Sequence, residues 1–309
     1  MSARPNTAAE VRPRSAPKTI SDPVYLSVVI PVYNEEGAIA QTVAGVDQAL
    51  SPLPITYNII VSDDGSTDGT LKKAEQSDAF AVTAPENSGY GAAIKCGIAA
   101  GNSEFVAIID ADGTYPANRL PEMLELAKSA DMVVGARDAA MTNVALVRRP
   151  AKRILNALAS YLARRKIPDL NSGLRIFRRS TLQNFLPLLP TGFSFTTTVT
   201  LCMLCSYARV VYLPIQYKPR IGKSKIRYTD FFTFILLVLR AMMLFNPLRI
   251  FIPLGAALFL LGLLKLGYDI VIGDLSETAV FGFLSAIMLW SLGLIADMIA
   301  RLHLRPQPK

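Results

Sequence analysis

Three polar clusters in this 309-residue chain pair reactive residue types with a spacing that lets them cooperate. Asp110-Ala111-Asp112 closes the apolar run Phe105–Ile109 and continues as Gly113-Thr114-Tyr115-Pro116. In an extended segment, residues i and i+2 point to the same side, so two carboxylates at a strand end can face one polyphosphate. Carboxylates neutralise a departing diphosphate only by holding a divalent cation. Mg²⁺ or Mn²⁺ suits that role, because both accept carboxylate and phosphate oxygens together. A lone D-x-D is common in surface turns; its place at the end of an apolar run favours the chemical reading.

Asp63-Asp64-Gly65-Ser66-Thr67-Asp68-Gly69-Thr70 also follows an apolar run, Ile55–Val61. Asp and Ser ahead of a helix routinely make Asx turns and N-caps. Two consecutive acids exceed what a cap requires, and one can accept a hydrogen bond from a nucleobase imide. Asn87-Ser88-Gly89-Tyr90-Gly91 opens the next helical pattern. Its glycines either permit close backbone approach to a nucleotide or simply make a turn.

The elements that must position these clusters can be read from hydrophobic patterning. Leu26–Val32, Ile55–Val61, Phe105–Ile109 and Met132–Val134 are β-branched and nearly continuously apolar, as strands buried on both faces are. Helical patterns over Gly37–Leu50, Thr70–Gln76, Gly91–Ala100 and Leu120–Ala127 alternate with them. That alternation predicts an α/β fold with a doubly wound, mostly parallel sheet. Ligands in such folds bind beyond the carboxyl ends of the strands, where Tyr33-Asn34-Glu35-Glu36, Asp63-Asp64-Gly65-Ser66 and Asp110-Ala111-Asp112 fall.

The C-terminal third reads differently. Phe231–Phe245 is apolar except for Arg240 and, at fifteen positions, is short for a bilayer core of about 30 Å, which predicts an interfacial helix, a buried core helix being the competing reading. Ile250–Ile272 and Thr278–Ala300 are long enough to span, predicting a two-helix transmembrane hairpin. Lys265 and Asp269, and likewise Asp297 and Arg301, are four residues apart and can pair on a helix face. Arg227, Arg240 and Arg249 precede the first span and Arg301, Arg305 and Lys309 follow the second, whereas the loop between holds Asp274 and Glu277. By the positive-inside rule the α/β domain and the C-terminus share the cytoplasmic side, most simply of a bacterial inner membrane. The expected organisation is a basic disordered tail over 1–24, a catalytic domain over 25–228 and a juxtamembrane helix over 229–249. Spans over 250–272 and 278–300, joined by a loop over 273–277, and a cytoplasmic tail over 301–309 complete it.

Composition narrows the function classes. The net charge of +8 and sequence pI of about 9.4 admit anionic lipid and phosphorylated substrates as partners. No basic–aromatic array accompanies the charge, so nucleic acid is not expected. Cys202 and Cys205 form a C-x-x-C without a second pair or a His cluster, and read as small apolar residues. Residues 1–24 lack the apolar core of a secretory signal. Arg164-Arg165-Lys166 and Arg148-Arg149 read as lipid-facing charge.

Taken together, Ile30-Pro31-Val32-Tyr33-Asn34-Glu35-Glu36, Asp63–Thr70, Asn87–Gly91 and Asp110–Gly113 resemble the family 2 glycosyltransferases of the GT-A (Rossmann-like) fold, over roughly Tyr25 to Lys225. The resemblance implies that Pro31, Tyr33, Glu35, Asp63, Asp64, Asn87, Gly91 and Asp110 hold the nucleotide of a nucleotide-sugar. It also implies that Asp110 and Asp112 hold the metal, Asp112 acting in catalysis. Pro168-Asp169-Leu170-Asn171-Ser172-Gly173-Leu174-Arg175 and Arg220-Ile221-Gly222-Lys223-Ser224-Lys225 look like the acceptor-side motifs of polyprenyl- and dolichyl-phosphate sugar transferases. On that likeness Ser172, Arg175, Arg220, Lys223, Ser224 and Lys225 bind an acceptor phosphate and Asp169 organises the acceptor site or takes a proton. Arg as a fork and Lys as a point charge suit phosphate; the competing reading is a solvated basic surface attracted to anionic lipid.

The Gln-x-x-Arg-Trp element of processive synthases is absent, since the only tryptophan, Trp290, lies within the second span. A single inverting transfer is therefore expected, with self-association implied by relatives. Two other readings remain open: a non-catalytic membrane scaffold that binds nucleotide-sugar or lipid phosphate, and a membrane-anchored transferase with a soluble glycan acceptor.

Overall fold

The computed structural model describes residues 23–137, 157, 159–161, 164–192, 194–217, 239, 243, 246–273 and 276–303. Residues 1–22 of the expected basic tail, most of the expected interfacial helix, and Arg220, Lys223, Ser224 and Lys225 lie outside the described residues; Val24, placed in that tail, begins the first strand.

Seven strands form one sheet: β1 (Val24–Val32), β2 (Tyr57–Asp63), β3 (Phe80–Thr83), β4 (Ser103–Ile108), β5 (Met132–Arg137), β6 (Arg175–Arg178) and β7 (Val210–Ile215). Their spatial order is β3-β2-β1-β4-β6-β5-β7. All pairings are parallel except those of β6, which runs antiparallel to both β4 and β5. Helices α1 (Ile39–Leu50), α2 (Thr70–Glu75), α3 (Tyr90–Ala100) and α4 (Leu120–Ala127) connect the early strands. Later come α5 (Arg179–Gln183), α6 (Phe195–Cys205), and the long pair α7 (Leu248–Ile272) and α8 (Glu277–His303).

The continuous apolar runs have the predicted cause. On β1, Leu26, Val28, Ile30 and Val32 pack with α1 and α4 residues on one face, while Val29 packs with Ile94, Ile98 and α6 on the other. A strand covered on both faces has no solvent side and cannot alternate. β3, β6, β7 and α6 were not anticipated. Ile55 was expected to begin a strand, but β2 begins at Tyr57 and runs on through Asp63.

Pro31 illustrates how the cleft opens. Successive residues of a parallel strand bond to opposite neighbours. The Val32 carbonyl accepts from Asp64 on the β2 side and the Val29 carbonyl accepts from Ile109 on the β4 side. The Pro31 nitrogen therefore faces β4, and pairing with β4 has ended at Val29. A residue without an N–H is tolerated there because no ladder bond is lost. The β1–β4 ladder ends at this point, where the strand order reverses, the place at which ligands bind in such sheets.

α7 and α8 are each long and apolar enough to cross a membrane. They pack as a hairpin at glycines: a Cβ on Gly282 would lie 3.0 Å from the Cα of Gly262, and one on Gly255 would enter the Trp290 ring. Small residues of this kind let helix backbones approach in lipid. Lys265 pairs with Asp269, as the four-residue spacing allows, and Asp269 also accepts from the Ser276 amide (3.1 Å) and hydroxyl (2.6 Å).

Candidate functional site

The clusters lie at the carboxyl ends of β1, β2 and β4 and are laced together locally. Asn34, in a left-handed conformation (φ 54°), accepts from the Thr67 amide at 2.8 Å, and the Ser66 hydroxyl accepts from the Asn34 amide at 2.9 Å. The Glu35 amide donates to the Thr70 hydroxyl (2.9 Å), and Glu36 pairs with Lys73 (3.2 Å). Tyr33 and Glu35 are half-buried and Asn87 is exposed at the rim.

Asp63 and Asp64 do more structural work than expected. Asp63, 2% exposed, accepts from the Ser66 amide and the Thr83 hydroxyl, which is turn-building. Asp64, 3% exposed, accepts from the amides of Ser88 and Gly89, each at 2.8 Å, so its carboxylate shapes the loop that carries Asn87. Gly91 and Gly89 also admit protein backbone. A Cβ on Gly91 would meet the Pro190 carbonyl at 2.4 Å, and one on Gly89 the Thr191 carbonyl at 2.7 Å. The backbone that approaches these glycines in the fold is that of residues 190–192.

Asp110 and Asp112 follow β4, but the chain turns from Ala111 and Gly113 has φ 71°, so the expected extended i, i+2 arrangement is replaced by a turn. Asp112 accepts from the Thr114 amide (3.2 Å) and hydroxyl (2.5 Å). The Thr42 hydroxyl donates to the Ala111 carbonyl at 2.9 Å and ties this turn to α1. Asp110 accepts from the Tyr90 hydroxyl at 2.7 Å. Burial first, and then the charge of Asp110, hold the Tyr90 phenol well above its ordinary pKa, keeping it a neutral donor.

The segment 168–175 closes over Asp110. A Cβ on Gly173 would lie 2.1 Å from Asp110 Oδ2, so only glycine fits. The Gly173 amide donates to the Tyr115 hydroxyl at 2.7 Å, and burial pushes the Tyr115 phenol upward as well. The turn after β4 and the segment 168–175 are thus in contact at Asp110 and Gly173.

Two predicted acceptor residues are corrected. Arg175 is fully buried; its guanidinium donates to the carbonyls of Ser172 (2.7 Å) and Leu170 (2.9 Å) and to the Thr200 hydroxyl (2.6 Å). Burial lowers its pKa, and it serves to shape the 168–175 loop instead of meeting a phosphate. Ser172 is equally buried and donates to the Gly135 carbonyl at 2.6 Å.

Asp169, 1% exposed, forms a bidentate pair with Arg137 at 2.6 and 2.9 Å and also accepts the Arg137 amide at 3.1 Å. Burial opposes the Arg137 charge, but its hydrogen bond to Asp169 and the nearby negative charge outweigh that and raise its pKa. Arg137 also lies over the Tyr217 ring, 5.4 Å from the centroid, and Tyr217 packs edge-on against Tyr115. Sequence reasoning missed Arg137. The available signal was a cation ending an otherwise apolar buried strand.

Among the described residues no group of three or more His, Cys, Asp or Glu could hold a metal by itself. Asp110 and Asp112, in the turn after β4, are oxygen donors of the kind a hard cation accepts, with phosphate oxygens and water completing the shell as for Mg²⁺.

Comparison with known proteins agrees with this fold. The family profile described as Glycosyl transferase family 2 matches residues 27–186, and that described as GtrB C-terminal hairpin matches 246–302. The chain is similar to glycosyltransferase AglJ of Haloferax volcanii, 29% identical over 299 residues, covering 91% of this chain and 95% of that protein. It is also similar to the undecaprenyl-phosphate 4-deoxy-4-formamido-L-arabinose transferases of Photorhabdus laumondii and Proteus mirabilis. The first is 30% identical, covering 56% of this chain and 57% of the relative; the second is 24% identical, covering 92% and 91%. Among solved structures, the glucosyl-3-phosphoglycerate synthase of Mycobacterium tuberculosis, crystallised with Mn²⁺, uridine diphosphate and glucosyl-3-phosphoglycerate, shares the fold. Its TM-score is 0.54 at 21% identity, covering 71% of this chain and 79% of that one.

Proposed function

The chain belongs to glycosyltransferase family 2, and from that premise we propose that it moves one sugar from a UDP- or GDP-linked donor to a polyprenyl phosphate at the cytoplasmic membrane face. The observation that carries this reading is the contact of Gly173 with Asp110, which puts the acceptor-side loop against the donor-side acid in a chain that continues into two apolar helices. Relatives named as undecaprenyl-phosphate transferases supply the acceptor class, and synthases crystallised with Mn²⁺ and uridine diphosphate supply the donor class.

An acceptor phosphate monoester has a second pKa near about 6 and is largely dianionic at pH 7. One of its oxygens forms the new bond to the anomeric carbon as the bond from that carbon to the nucleoside diphosphate breaks, inverting the centre. No strong general base is required, which agrees with Asp169 being held in an ion pair. Asp110 and Asp112 would hold Mg²⁺ or Mn²⁺, whose charge would stabilise the leaving diphosphate. Tyr33, Glu35 and Asn87 border the nucleoside pocket, with Asp63 and Asp64 building its loops. Arg137, its charge balanced by Asp169, would offer an acceptor phosphate the guanidinium N–H groups that Asp169 does not occupy, supplemented by the charges of Arg220, Lys223 and Lys225 and the Ser224 hydroxyl. Most of the acceleration then comes from alignment and charge stabilisation.

Purified protein supplied with undecaprenyl phosphate, Mn²⁺ or Mg²⁺ and a panel of radiolabelled nucleotide-sugars tests the proposal. A lipid-extractable labelled product with one donor is the expected result. Transfer to free glycans but not to lipid phosphate, or nucleotide binding without transfer, would overturn it.

A further inference from the structure

The short turn after residue 161 carries three consecutive bases, Arg164, Arg165 and Lys166, all exposed. None of them forms an ion pair with a described residue. The turn is built to present them. Arg164 adopts φ 55°, a conformation that non-glycine residues seldom take, and the Ser160 carbonyl and hydroxyl accept from the amides of Arg165 (3.3 Å) and Ile167 (3.1 Å).

Its position is set from both sides. Arg249, in the first turn of α7, donates to the Tyr161 carbonyl at 2.7 Å, and Ile250 packs on a small core of Ala159, Ile167 and Leu170. The bases therefore sit where the chain enters the first apolar helix. Tyr161, 60% exposed beside them, has the amphipathic character of a residue at a membrane–water boundary. On the other side, Ile167 is buried and Asp169 reaches the cleft through its pair with Arg137, only three residues beyond Lys166.

We propose that Tyr161, Arg164, Arg165 and Lys166 form a docking surface for the headgroups of anionic bilayer lipids, which holds the acceptor side of the cleft against the membrane. The inference rests on α7 and α8 spanning a bilayer, as in the function proposed above, and extends it to a lipid partner that is not a substrate. Each base close to an anionic surface strengthens docking by roughly fivefold, so three together give on the order of a hundredfold. The attraction must weaken with salt, because the charges face water.

The test uses the full chain in nanodiscs of phosphatidylcholine alone or with a one-third share of phosphatidylglycerol, read by amide hydrogen exchange over residues 160–167. Exchange should be at least about tenfold slower with phosphatidylglycerol, should return to the phosphatidylcholine rate in high salt, and should lose its lipid dependence in Arg164→Gln/Arg165→Gln/Lys166→Gln. The variant Arg164→Lys/Arg165→Lys should retain it, since charge and not fork geometry is being read. Equal exchange of the native chain in both bilayers overturns the proposal whether or not the glutamine variant folds. So does a glutamine variant whose KM for polyprenyl phosphate rises equally in both bilayers, which would make the turn part of the acceptor site. Lipid-dependent exchange in a chain inactive with every donor would instead leave this inference standing and remove the proposed reaction.

Discussion

Replacing Gly173 by Ala adds a single methyl group to the point where the two halves of the site meet. That methyl would lie 2.1, 2.3 and 2.5 Å from Oδ2, Cγ and Oδ1 of Asp110. Non-bonded carbons settle at about 3.5–4 Å, so relief requires a displacement of about 1 Å or more. Neither partner yields easily: Tyr90 holds the Asp110 carboxylate at 2.7 Å and Tyr115 holds the Gly173 amide at 2.7 Å. A misplacement of about 1 Å in a reacting constellation costs on the order of a hundredfold in rate, and overpacking costs about 1–3 kcal/mol of stability. Gly91→Ala is the control, because its methyl would meet the Pro190 carbonyl at 2.4 Å, away from the carboxylates. Kinetics of transfer to polyprenyl phosphate, normalised to folded protein and titrated with Mn²⁺, should show Gly173→Ala about a hundredfold slower with weakened metal dependence. Gly91→Ala should lose similar stability but keep turnover within a few-fold. If Gly173→Ala turns over within about threefold of the native chain with unchanged metal dependence, Asp110 is not positioned by this contact and the argument fails.

Asp112→Asn should abolish transfer while leaving melting temperature and membrane association near native; substantial turnover would argue against the metal assignment. Asp169→Asn should destabilise the domain by about 3–5 kcal/mol in denaturant unfolding, because it leaves the Arg137 charge buried and uncompensated. The double variant Arg137→Met/Asp169→Leu should recover much of that stability yet stay inactive, and recovery of activity as well would deny the pair any role in the reaction. Burial pushes the Cys202 thiol up to about 12 and Cys205 up to about 11. The reactive thiolate is therefore scarce at pH 8, so iodoacetamide should label Cys202 only after unfolding, as peptide mass spectrometry would report.

What could be read in advance was local. β1, β4 and the helices between the early strands follow from apolar runs and 3.6-residue periodicity, which depend only on neighbours in the chain. The acidic clusters announced themselves because strand ends in such folds are where ligands bind, and the two long apolar helices because length and hydropathy suffice. β6 escaped notice because four residues, Arg175–Arg178, contain two arginines and read as polar. Their burial depends on the strand being inserted between β4 and β5.

The sequence by itself therefore determined the fold class, the place of the acids and the apolar hairpin, since those are written in composition and period. Tertiary structure decided what each polar side chain does. Arg175 turned inward to hold carbonyls of its own loop, Asp169 found Arg137, Gly91 met Pro190 and Gly173 met Asp110. The reason is physical: a charge or a missing Cβ has no meaning until the chain brings a distant partner within a few ångströms, and residue type alone does not say which partner that is.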